Sequence, residues 1–132
     1  IQYTPVDDRG DIANHTIAEG QLHGAVFQGV GQVLGEIGFY DRSSGQFLTG
    51  TFMDYYMPRA GLVRNLQGHE LNVRSPTNPL GLKGVGEAGT TGSLPTVVNA
   101  IVDALKSLGI QHIDMPCTPA RVWEAIQSAR KH

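Results

Sequence analysis

Residues 81–93 read GLKGVGEAGTTGS, and within them Gly84, Gly86 and Gly89 form a literal G-x-G-x-x-G with Glu87 in its middle. Two chemistries compete for this pattern. Glycines can let backbone close around a phosphate, or they can let a loop aim a carboxylate at a reacting atom. The phosphate reading needs a strand just before the glycines and a helix opening within them. The preceding residues 75–83 contain Pro76 and Pro79, which disfavour a central strand. The acidic partner of a dinucleotide fold could only be Asp103, which falls in a helical stretch rather than at a strand end. No Gly-Lys-Ser/Thr follows the glycines, so a Walker loop is excluded as well.

Glu87 then becomes the centre of interest. Flanking glycines permit close backbone approach. A carboxylate pressed into a dry site is desolvated, which raises its pKa toward the range a general base needs. Lys83, four residues earlier, could be its counter-charge. Taken alone, these residues leave open a surface glutamate on a glycine loop.

The remaining reactive side chains point nowhere in particular. His15, His23, His69 and His112 lack metal-ligand spacing. Cys117 is the sole cysteine, which excludes an internal disulfide and suits a reducing compartment. Ten basic and twelve acidic residues give a net charge of −2 without runs of one sign, so nucleic acid and membrane surfaces are not indicated. No apolar run approaches the ~20 residues that span a bilayer. The chain of 132 residues is about one domain's worth, and its charged fraction of 17% is low for a free-standing small domain. Extensive coverage of its surface by other protein is one reading of that.

The elements that would position the loop follow from period and punctuation. Residues 1–6 read as a strand and residues 7–10 as a turn. Thr16 and Glu19 match a capping box, which predicts a helix from Thr16 to about Gly35 or Gly38. Leu22, Val26, Val30, Val33 and Leu34 supply its apolar face. Interior glycines at 20, 24, 29 and 31 each cost about 0.5–1 kcal/mol against alanine, so a backbone or ligand should come close there. Residues 46–52 and 69–74 read as strands, the latter with Leu71 and Val73 on a buried face. Residues 75–94 have no period, and an ordered loop of that length is commonly functional. Pro95 then opens a helix whose buried face is Val98, Ile101, Val102 and Leu105, ended by Gly109. Residues 110–115 suggest a short strand. Thr118-Pro119 starts a last helix with Val122, Trp123 and Ile126 inward, fraying over residues 128–132. The class is α+β: one domain with a long N-terminal helix, a small mixed sheet and two C-terminal helices.

Four segments in order carry a resemblance: EGQLHGAVFQGVGQVLGE (19–36), FMDYYMP (52–58), NPLGLKGVGEAG (78–89) and VVNAIVDAL (97–105). Together they resemble the C-terminal end of the molybdenum-binding large subunit of the xanthine oxidase, aldehyde oxidase and carbon monoxide dehydrogenase family. KGVGEAG is most similar to the carbon monoxide dehydrogenase-like branch.

The resemblance implies that residues 1–132 form the family's second molybdenum-cofactor-binding domain, part of a longer chain and inactive alone. Glu87 would be the general base that deprotonates a hydroxyl on molybdenum. Gln28 would bind the cofactor, together with Lys83, Gly84, Val85 and Gly86. Gln32, one helical turn from Gln28, could face the same ligand, though a solvated position explains it equally. The cofactor would be molybdopterin in its cytosine dinucleotide form, which holds the metal without protein ligands and would be absent from the isolated domain. The substrate would be a small carbonyl, an N-heterocycle or a molecule like carbon monoxide. Partners would be the remaining large-subunit domains and iron–sulfur and FAD subunits, in the cytoplasm. Asp54, Tyr55 and Tyr56 would be packing residues. His15 departs from the family pattern, in which Pro follows the Asn at position 14. A non-catalytic assembly module on the same fold is the competing class.

Overall fold

The structure, a computed structural model, describes residues 2–131. Strands β1 (Gln2–Tyr3) and β2 (Val6–Asp7) precede helix α1 (His15–Leu34). Strands β3 (Asn65–Leu66) and β4 (His69–Glu70) precede helices α2 (Ala88–Leu105) and α3 (Pro119–Ala129). Three helices with strands on either side of α1 give the expected α+β class, but the small mixed sheet is instead two separate two-stranded parallel sheets. The chain forms two compact units: residues 1–29 with Arg59–Ser93, and Val30–Pro58 with residues 94–132.

In the first unit the N-terminal ribbon is zipped to distant segments. β1 pairs in parallel with β3, and β2 with β4. Pro5 has no N–H and separates the two ladders, while its carbonyl accepts the His69 N–H at 2.9 Å. The strand expected over residues 1–6 is therefore two short ones, and Ile1 lies outside the described residues. The ladder ends at Glu70, because the opposing chain turns away at residues 8–10. Leu71 and Val73, expected on a buried face, are 63% and 54% exposed.

The cap of α1 lies two residues before the expected one. Asn14 Oδ1 accepts the Ile17 N–H at 3.0 Å, and the Asn14 carbonyl accepts from Ala18 at 3.0 Å. Asn outranks Thr as an N-cap, so Thr16 is left inside the first turn. Within the first unit α1 buries Ala18, Leu22, Ala25 and Val26, the i, i+4, i+7, i+8 stripe of an amphipathic helix.

In the second unit Val33, Ile113 and Cys117 are buried together. Leu94, Val97, Val98, Ile101 and Leu105 of α2 and Val122 and Ala125 of α3 pack against them. The Cys117 N–H donates to the Val33 carbonyl at 2.6 Å. α2 starts seven residues before Pro95, which lies inside it rather than at its head. Its end is as expected: a 3-10 turn over Lys106–Leu108 and Gly109 at φ 77°. Thr118 caps α3 through an Arg121 N–H···Oγ1 bond of 3.3 Å. Trp123, expected in the core, is 62% exposed; Val122 and Ala125 hold the inward face. The strand expected over 46–52 is a single Tyr40–Phe47 bridge closed by a turn around Asp41, and residues 110–115 form no strand. The C-terminal fraying falls in part on His132, outside the described residues. No helix among the described residues is long and apolar enough to cross a membrane.

Candidate active site on the glycine loop

Glu87 is the last residue before α2. Its carbonyl accepts the Thr91 N–H at 3.0 Å and the Thr91 hydroxyl at 3.2 Å, which anchors it to the first turn. Its side chain is exposed, and among the described residues its carboxylate has neither an ion-pair nor a hydrogen-bond partner. Any burial of this carboxylate therefore comes from a ligand or from further protein.

The glycines before it divide into two kinds. Gly81, at φ 70°, is required by the turn, because a Cβ there would meet the Arg74 side chain and Asp11 Oδ2. Gly84 and Gly86 have no positive φ, and a Cβ at either would meet nothing within 4 Å. Nothing in the described chain demands glycine at 84 or 86. Their bare faces leave open space beside Glu87, with half-buried Val85 between them.

Gln28 stands on α1 with its side chain exposed and its amide unpartnered among the described residues. The next residue explains its placement. A Cβ on Gly29 would collide with the Ser93 hydroxyl and lie 3.0 Å from the Thr90 carbonyl. A Cβ on Gly89 would come within 2.8 Å of Ala25 Cβ. Thr90 Oγ1 donates to the Ala25 carbonyl at 2.9 Å. The helix carrying Gln28 is thus pressed onto the turn that begins at Glu87. The α1 glycines are accounted for unequally: Gly29 by this contact, Gly31 by Pro58, whose Cγ a Cβ would meet at 2.8 Å, while Gly20 and Gly24 face open space. Gln32 is half-buried.

Lys83 is not paired with Glu87. Its ammonium meets Asp8 Oδ2 at 2.5 Å, and its backbone N–H donates to the Arg9 carbonyl at 3.1 Å. Asp8 Oδ1 accepts the N–H groups of Gly10 at 3.1 Å and Val73 at 3.0 Å. The Lys83 hydrogen bond, aided by these amides, holds the Asp8 carboxyl down at about 2. Arg9 is 2% exposed and lies 3.4 Å from both Asp7 and Glu70. Its Nε and Asp7 Oδ2 are buried without hydrogen-bond alignment. Residues 7–10, a mere turn to sequence reasoning, are the seat of the glycine loop. No signal in the sequence links Asp8 to a lysine 75 residues away.

Elsewhere, the Tyr55 hydroxyl donates to Glu36 Oε2 at 2.5 Å, Asp54 Oδ2 accepts from Thr51 at 2.8 Å, and Tyr56 packs on Gly35. Cys117 is buried, and that burial pushes its thiol up. Among the described residues no group of three or more His, Cys, Asp or Glu is placed to hold a metal ion.

Comparison with known proteins adds the following. The family model described as "Molybdopterin cofactor-binding domain" matches residues 1–63. The carbon monoxide dehydrogenase large chain of Hydrogenophaga pseudoflava is 36% identical over 126 residues, covering 96% of this chain and 16% of that one. The structure of reconstituted CO dehydrogenase from Oligotropha carboxidovorans superposes with a TM-score of 0.90 at 33% identity, over 99% of this chain and 16% of that one. Quinoline 2-oxidoreductase from Pseudomonas putida 86 gives 0.88 at 37% identity, over 96% and 16%. The chain therefore spans about a sixth of the length of these relatives.

Proposed function

This chain is homologous to a segment of the molybdopterin-binding large subunit of the xanthine oxidase, aldehyde oxidase and carbon monoxide dehydrogenase family, and from that premise we propose that its glycine loop is one wall of a molybdenum active site in which Glu87 is the general base. The observation that carries this is the exposed Glu87 carboxylate, unpartnered among the described residues and within three residues along the chain of the open faces of Gly84 and Gly86.

These residues fit a molybdopterin cofactor. Gly84 and Gly86 present backbone with no side chain in the way, so a flat pterin can approach closely. The amide of Gln28 offers two N–H donors and an acceptor, suited to a pterin edge or an oxo group. Val85 lends an apolar surface between the glycines. When bound, the cofactor supplies the metal centre and its redox chemistry; the protein supplies position and electrostatics. We assign it the cytosine dinucleotide form.

The protein's own work is then specific. Gln28 orients the ligand from α1. Glu87 accepts the proton of the oxygen that is transferred to the substrate, a contribution of about 10²–10⁴ in rate for a well-placed base. The helix pair that joins Gln28 to Glu87 keeps the amide and the carboxylate in fixed relation. The substrate is a small carbonyl, an N-heterocycle or a carbon monoxide-like molecule. Completion of the site by the rest of a large subunit, and of electron transfer by iron–sulfur and FAD subunits in the cytoplasm, belongs to the same proposal.

The test is turnover of the full enzyme bearing Glu87→Gln, at matched molybdenum content. Gln keeps the shape and removes the base. A loss of about a hundredfold or more is expected. Near-normal turnover would make the loop scaffolding and the segment a non-catalytic module.

A further inference from the structure

The glycine loop is fastened at one short stretch. Gly81 accepts the Asp11 N–H at 3.0 Å, Gly10 and Leu82 form an antiparallel bridge, and the Lys83 N–H reaches Arg9. Gly10, at φ 64°, is required here, since a Cβ would run into the Gly81 carbonyl and lie 3.2 Å from Lys83 Cγ. Beyond Lys83 the backbone of residues 84–86 has no such bridge among the described residues, and two of these three residues are glycines facing open space. The next fixed point is Glu87 itself, at the head of α2. The loop is therefore a three-residue span hung between two anchors. One anchor is helical; the other is the Asp8–Lys83 pair and the bonds around it.

We propose that Asp8 and Lys83 are positioning residues, whose ion pair clamps the glycine loop to the N-terminal ribbon and so sets the course of the span that leads into Glu87. The proposal rests on the reading of Glu87 as the base. It also gives Lys83 a different role from cofactor contact: its ammonium is taken by Asp8 and its N–H by Arg9. Asp8 is suited to the task because its other oxygen is held by two backbone amides, from Gly10 and Val73, so the carboxylate is itself fixed in place. Both partners are about a third exposed, so the pair can be opened without leaving a fully buried charge.

The experiment uses the full holoenzyme with Lys83→Gln, Lys83→Arg and Asp8→Asn, each also combined with Glu87→Gln. Amide hydrogen exchange over residues 81–87 is read first. Lys83→Gln and Asp8→Asn should speed it by about tenfold or more while α1 stays protected; Lys83→Arg, which keeps the cation, should restore protection. Turnover should fall about ten- to hundredfold in kcat with KM little changed, as misplacement of a catalytic group does. In the Glu87→Gln background the same substitutions should cost almost nothing more. Unchanged exchange over 81–87 in Lys83→Gln overturns the clamp, whatever the activity. Loss of molybdenum from Lys83→Gln overturns it in favour of a cofactor contact. Undiminished losses in the Glu87→Gln background show that the pair does not act through Glu87. If Glu87→Gln alone keeps its turnover, the base reading fails while the exchange result still judges the clamp. If Asp8→Asn does not fold, the Lys83 pair of variants decides.

Discussion

Thr90 Oγ1 donates to the main-chain carbonyl of Ala25 across 2.9 Å, and so bolts the first turn of α2 to the middle of α1. A hydroxyl can reach a backbone carbonyl on another helix only if no side chains stand between the two. Gly29 and Gly89 provide that clearance from either side. The candidate base and the candidate ligand-orienting amide are thereby carried on one close helix contact.

Gly29→Ala and Gly89→Ala should each destabilise the chain by about 1–3 kcal/mol, the range for overpacking a close contact. Gly24→Ala, where a Cβ meets nothing within 4 Å, should instead stabilise it by about 0.5–1 kcal/mol through helix propensity. Urea denaturation of the three variants checks both signs; equal shifts for all three would refute the packing account.

Asn14→Ala should cost about 1 kcal/mol as the loss of an N-cap, and Thr16→Ala should stay within about 0.5 kcal/mol. The reverse ranking in thermal melts would restore Thr16 as the cap.

The Asp8 carboxyl sits at about 2 against an ordinary 3.8. A folded-state pKa below the unfolded one means a stabilisation that is present above about pH 4 and is lost as pH falls through about 2. Carbon NMR of the Asp8 carboxyl should show this low titration, and Lys83→Gln should move it upward. A titration in Lys83→Gln identical to that of the parent would show that the amides alone hold Asp8 down.

Cys117 is 1% exposed and its thiol is pushed up by burial, so little reactive thiolate is presented. A thiol reagent should label it only as fast as the second unit opens, and denaturant should accelerate the labelling. Rapid labelling of native protein would contradict the buried placement.

Elements with a repeating apolar period were legible in the sequence. Leu22, Val26, Val30 and Val33 are all buried as the helical rhythm of α1 requires. Thr118-Pro119 and Gly109 announced their helix ends because caps are local chemistry. The start of α2 was not legible, since residues 88–91 carry no apolar rhythm and Pro95 looks like a first-turn proline. Leu71 and Val73 alternate like a half-buried strand, but the ladder beside them has already ended at Glu70. The glycine loop could be singled out from its composition, and Glu87 from its place within it. Its seat could not: the Asp8–Lys83 pair joins residues 75 positions apart, and no local pattern encodes such a meeting.

That separation also sets an order of events. Helical turns close between near neighbours, but the strand and bridge partners of residues 2–10, and the lysine paired with Asp8, lie in residues 65–83. Contacts so distant along the chain form late, because a long loop must close before any of them is rewarded. As the chain leaves the ribosome, α1 can coil while its ribbon waits unpaired for more than sixty further residues. The glycine loop can be seated only after that, so the candidate site is among the last parts of the first unit to take shape.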